Sequence, residues 1–115
     1  MNIQLYMLKK NFDVQKALRF FKERRIKVQL VDLSKHQMGK RELELFAQSG
    51  GAASLINRSL TAVKEHPIAY TSDRDTILSY LSEHPEFLVT PLIRDGRRAM
   101  VGFDEQTLLA WLKEQ

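Results

Sequence analysis

The chain has no cysteine among its 115 residues. That absence excludes disulfides, thiolate-ligated zinc, iron–sulfur clusters and any thiol nucleophile supplied by the protein itself, so sulfur chemistry would need a small-molecule thiol. Proline, with three residues, and glycine, with five, are too scarce for a linker-rich or low-complexity chain, and no internal repeat of useful length is present. No apolar run approaches the roughly 18 residues of a membrane span. The opening MNIQLYMLKKNF lacks an uninterrupted apolar segment of the secretory kind, so a cytoplasmic protein without membrane association is expected. A phosphate-cradling glycine loop, a dinucleotide-binding glycine pattern and a serine nucleophile elbow are also missing. Histidines 36, 66 and 84 have no second ligand at metal-site spacing, so no metal is expected, and Glu42 and Glu44 diverge on a helix instead of forming an acid/base pair.

What is present suits a single folded domain spanning residues 1–115, with 43% hydrophobic and 28% charged residues. The net charge of +4 is unevenly spread. Residues 1–41 hold eleven Lys/Arg against three acids, whereas residues 42–115 hold seven against eleven. The basic set Lys9, Lys10, Lys16, Arg19, Lys22, Arg24, Arg25 and Lys27 suits an acidic partner. It lacks a recognition helix or an aromatic stacking platform, so contact with protein is expected in preference to direct nucleic-acid binding.

The element pattern predicts an α/β fold. Ile3 to Met7 reads as a strand covered on both faces. Asp13 is the expected cap of a helix with Val14, Ala17, Leu18 and Phe21 inward, and the alternation Ile26 to Val31 predicts a second strand parallel to the first. From Gly39 to about His84 the period is helical: Leu43, Phe46 and Ala47 share a face, Gly50-Gly51 stops that helix, and Ala52 to Ile56 forms a short one. Ser72 and Asp75 suggest a capping box for a helix with Ile77, Leu78 and Leu81 inward. Thr90 to Arg94, an Asp95-Gly96 turn and Ala99 to Phe103 predict an antiparallel hairpin, followed by a helix capped by Asp104 and bearing Leu108, Trp111 and Leu112. The doubled Glu-His-Pro at 65–67 and 83–85 is read as two helix ends that share a terminator by coincidence. The order βαβ, helices, ββα predicts a thioredoxin-like (glutaredoxin-like) mixed four-stranded sheet, with a helical insertion over about residues 38–86.

Several stretches carry a family resemblance over nearly the whole chain. Ile77-Leu78-Ser79-Tyr80-Leu81-Ser82-Glu83-His84-Pro85, then Thr90-Pro91-Leu92-Ile93, then Val101-Gly102-Phe103-Asp104-Glu105 resemble the signature of the arsenate reductase-like (ArsC/Spx) branch of the thioredoxin fold. Tyr6, Lys16-Ala17, Asp32 and the interval from Gly50 to Asn57-Arg58-Ser59 agree with it in spacing. The resemblance implies a reactive Cys at the tip of the loop before the first helix, and a CxxC partner in some members. Asn11 and Val14 stand at those positions here. It also implies an arginine before a cis-proline, where this chain has Thr90 before Pro91, and an arginine that Arg58 matches. Thiol-based arsenate or disulfide reduction by the chain's own residues is therefore not expected.

Two function classes follow from the resemblance. The first is a cysteine-less, non-catalytic binding or transcription-regulatory module that contacts a protein such as the C-terminal domain of the RNA polymerase α subunit, near Gly50, Arg58 and Ser59. The second is an arsenate reductase-like or glutathione-dependent oxidoreductase in which a small-molecule thiol supplies the sulfur. For that class the candidate oxyanion or glutathione pocket comprises Asn11, Phe12, Arg58, Thr90 and Pro91, with no cofactor beyond glutathione.

Overall fold

The computed structural model describes residues 1–114. Its chain forms two compact units: Met1–Val31 with the chain from Thr90 onward, and Asp32–Val89.

The first unit carries the sheet, in the order β2-β1-β3-β4. β1 is Ile3–Met7, β2 Val28–Asp32, β3 Leu92–Asp95 and β4 Arg98–Val101. β1 and β3 are antiparallel with Leu5 opposite Ile93, and β3 and β4 are antiparallel with Ile93 opposite Met100. The sheet is mixed, as a thioredoxin-like fold requires. Helix α1, Phe12–Glu23, and the C-terminal helix, Glu105–Lys113, cover it. Val14, Ala17, Phe20 and Phe21 of α1 join Ile3, Leu5, Ile93, Met100, Leu108 and Trp111 in one apolar core. Phe20 and Phe21 meet edge to face, and the Arg24 guanidinium lies over the Phe20 ring at 3.8 Å.

Three local expectations for this unit are corrected. The cap of α1 is Asn11, not Asp13: the Val14 N–H donates to Asn11 Oδ1 at 2.8 Å. Both residues are good caps, but Asn11 also finds a tertiary partner in Thr90, whereas Asp13 lies two residues further along and places its charge in the first turn. β2 begins at Val28, because Ile26 is spent ending α1. The Ile26 N–H donates to Phe21 O at 2.9 Å and the Arg25 N–H to Lys22 O at 3.1 Å, the paired bonds of a Schellman ending. The hairpin loop is Gly96-Arg97, since Asp95 pairs with Arg98, and Gly96 takes the positive φ of 61° that such a turn places on its first residue. Asp104 caps the last helix as expected, accepting from the N–H groups of Gln106 and Thr107.

The second unit is helical. It holds α2 (Lys40–Gly50), α3 (Thr61–Lys64) and α4 (Arg74–Glu83), joined by short 3-10 turns at Ala52–Leu55, Pro67–Ala69 and Pro85–Phe87. The C-terminal helix of the first unit is therefore α5. Leu43, Phe46 and Ala47 of α2 and Ile77, Leu78 and Leu81 of α4 are buried, as their spacing predicts. Gly51, at φ 83°, follows α2 and donates its N–H to Ala47 O. The cap of α4 is Asp73, which accepts from the Thr76 N–H at 3.0 Å and the Thr76 hydroxyl at 2.6 Å. A Ser72–Asp75 box does not form, because the reciprocal bond calls for the longer Glu or Gln.

The two Glu-His-Pro segments do more than end helices. His66 packs edge-on to His84, Tyr80 and Phe87, and His84 stacks on Phe87 with centroids 4.8 Å apart. His66 Nδ1 accepts the Ile68 N–H at 3.0 Å, capping the Pro67–Ala69 turn. Reading the repeat as coincidence misses this pairing, which places the two histidines against each other. Among the described residues, no helix is long and apolar enough to cross a membrane.

Candidate functional site

The loop after β1 reaches the N-terminal end of α1, where the first N–H groups of a helix lack partners within it. Asn11 sits at this point with extended backbone, φ −109° and ψ −178°. Its amide is used at both ends. Oδ1 takes the Val14 N–H, while Nδ2 donates to the Thr90 carbonyl at 3.0 Å and to the Thr90 hydroxyl oxygen at 3.2 Å. The Thr90–Pro91 peptide is cis. Pro91 is buried, and its carbonyl accepts the Gly102 N–H at 2.8 Å, which ties the segment to the end of β4.

The structure therefore brings together Asn11, Thr90 and Pro91. Phe12 points into solvent, 74% exposed, with the Lys16 ammonium over its ring at 4.8 Å. Val14, where the resemblance implies the second cysteine of a CxxC, is fully buried and belongs to the core. Where the family resemblance implies a thiol stands an uncharged carboxamide with no nucleophilic lone pair on its nitrogen, and Asp13 sets a carboxylate in the first turn, where it offsets the attraction of the helix terminus for anions.

Gly50, Arg58 and Ser59 lie in the second unit. Gly50 closes α2, and a Cβ there would come within 2.9 Å of Ser54 Oγ. Arg58 is exposed and in no ion pair among the described residues, and the Ser59 hydroxyl donates to Asn57 Oδ1 at 2.6 Å. Asn57 is itself anchored by its N–H to Phe87 O at 2.8 Å, so the turn that presents Arg58 is held in place. His36 contacts Glu42 at 3.3 Å, and His84 contacts Glu86 at 3.1 Å. Among the described residues, no group of three or more His, Cys, Asp or Glu is placed to hold a metal ion.

Two features had no usable signal in the sequence. Thr90 as the partner of Asn11 is separated from it by most of the chain, and Arg25, at φ 55°, takes a left-handed conformation that a glycine would have advertised.

A mixed sheet in the order 2-1-3-4, a helix starting at the tip of the first loop and a cis-proline beside that tip define a thioredoxin-type protein. The chain belongs to the ArsC family, which it matches over residues 6–111. No curated protein sequence matches it. Among solved structures it is similar to a YffB protein, with a TM-score of 0.83 and 19% identity over 95% of this chain and 97% of that one. It is also similar to an arsenate reductase from Vibrio cholerae, with a TM-score of 0.82 and 16% identity over 96% and 97%. A third similar structure is an arsenate reductase (ArsC) related protein from Brucella melitensis, with a TM-score of 0.69 and 21% identity over 98% and 96%. At these identities the likenesses establish the fold.

Proposed function

We propose that this ArsC-family protein is a non-catalytic binding module that acts by contacting a protein partner. The observation that carries the proposal is the state of Asn11: at the position where the family resemblance calls for a reactive thiol, both ends of an amide are committed to the protein's own backbone and to Thr90. A residue bonded in this way holds a loop and has nothing left with which to attack a substrate. The resemblance points to the C-terminal domain of the RNA polymerase α subunit as partner, and to Gly50, Arg58 and Ser59 as contact residues. Support comes from Arg58, an exposed cation with no ion pair among the described residues, on a turn that Asn57 anchors.

The test is a calorimetric titration with that polymerase domain, with glutathione and arsenate as parallel injectants. Saturable heat with the polymerase domain, reduced by Arg58→Ala, is the expected result. Heat with glutathione or arsenate alone would favour the second class, an oxidoreductase that depends on an external thiol. Silence in all three titrations would remove this partner and both ligands.

A further inference from the structure

The end of α1 and the start of β2 enclose an open groove of about 450 Å³, lined by Leu18, Phe21, Lys22, Arg25, Ile26, Lys27 and Val28. Its floor is apolar, with Leu18, Ile26 and Val28 half-buried against the core. Its rim carries three cations and no acid. None of Lys22, Arg25 and Lys27 is in an ion pair among the described residues. β2 is an edge strand, bonded on one side only, and Leu30, on the same face of the strand as Val28, is 52% exposed.

The backbone supplies an independent argument. Arg25 occupies the left-handed position of the Schellman ending, at φ 55°, where glycine is the unstrained choice. An arginine thus stands at a position where its backbone is disfavoured, and its side chain lines the groove.

We propose that this groove is a docking site for an extended acidic segment of a partner protein, with apolar side chains alternating between its carboxylates. Such a segment adds to the open edge of β2, places every second side chain on the strip formed by Leu18, Ile26, Val28 and Leu30, and meets Lys22, Arg25 and Lys27 with its acids. The site shares no residue with Gly50, Arg58 and Ser59, so it stands or falls independently of the polymerase domain as partner.

The experiment is fluorescence anisotropy of a short labelled peptide alternating Glu with Leu or Phe, titrated with the whole protein. Saturable binding is expected, weakening as salt is raised. Binding should fall about tenfold or more in Lys22→Glu/Lys27→Glu, the loss expected when rim attraction becomes repulsion. The deciding variant is Arg25→Gly. It should melt at or above the wild-type temperature, because strain is relieved, while its affinity for the peptide drops; that combination excludes unfolding as the cause. Arg58→Ala should bind the peptide as wild type does. The proposal is overturned by equal binding of the Lys-for-Glu peptide or by unchanged affinity in Arg25→Gly. It is also overturned by displacement of the peptide with mixed-sequence duplex DNA at lower concentration, or by self-association of the protein that competes with the peptide.

Discussion

The Asn11 side chain links the start of α1 to the cis Thr90–Pro91 peptide: one amide accepts the Val14 N–H and donates to both Thr90 oxygens, all within 3.2 Å. Three bonds thus converge on the residue that stands where the family resemblance implies a reactive cysteine. The consequences can be measured one substitution at a time.

Asn11→Ala should destabilise the protein by about 1–2 kcal/mol, the worth of a lost cap and a lost side-chain bond. Asn11→Asp tests the second half of the link. Asp caps as well as Asn does, but it has no N–H for Thr90 and turns a carboxylate toward a carbonyl oxygen. Urea unfolding should place Asn11→Asp below wild type, and equal stability would show that the Thr90 bonds contribute nothing.

Asn11→Cys restores the residue type that the family resemblance implies. Its thiol sits at a helix N-terminus and should therefore ionise below the ordinary value of about 8.5. The pH dependence of iodoacetamide alkylation reads this directly. A midpoint at or above the ordinary value would mean that Asp13 cancels the helix terminus.

Acid sensitivity follows from the carboxylates that accept local hydrogen bonds. Thr76 donates to Asp73, Thr107 to Asp104 and Ser34 to Asp32, each through its hydroxyl and its N–H, and these bonds hold all three carboxyls below their usual range. For Asp95, burial pushes upward, but bonds from Arg98 and the Asn2 N–H together with the Arg98 charge outweigh it, so that it too is lowered. A depressed native value contributes stability that is complete above the unfolded-state carboxyl value of about 4 and is lost as pH falls through the native values. The melting temperature should be flat from neutral pH to about pH 5 and then fall. Replacing Asp73 and Asp104 with Asn, which caps without titrating, should make the fall shallower. A melting temperature that rises on acidification would contradict these assignments.

Trp111→Ala should cost about 3–5 kcal/mol. The ring is 6% exposed within the first unit's core, and the Arg98 guanidinium lies 5.2 Å from its centroid. An unchanged denaturation midpoint would place the ring outside the core.

Much of this architecture is legible in the chain. Apolar spacing identifies α1, α2, α4 and α5, because Val14, Ala17 and Phe21, then Leu43, Phe46 and Ala47, then Ile77, Leu78 and Leu81, then Leu108 and Trp111 each follow the helical period within their own helix, and all are buried. The hairpin and the Asp104 cap are legible for the same reason: their signals lie within a few neighbouring residues. What fails is any choice between adjacent candidates that a distant partner decides. Asn11 and Asp13 are equivalent caps until Thr90 arrives from the far end of the chain, and Ile26 looks like strand until Phe21 claims its N–H. The meeting of His66 and His84 is of the same kind, since a repeated tripeptide gives no sign that its copies touch. In the candidate site, the place of Asn11 and the proline beside it were readable through the family pattern. The amide's double commitment was not, because a hydrogen bond to a residue 79 positions away has no local trace.

The most direct test of a binding rather than a catalytic role is an arsenate reduction assay with the purified protein and excess glutathione, compared with glutathione alone. No protein-dependent turnover is expected, because Asn11 offers no nucleophile and the chain contains no thiol. Turnover that scales with protein concentration and disappears in Arg58→Ala would contradict the assignment and show that this fold still catalyses with borrowed sulfur.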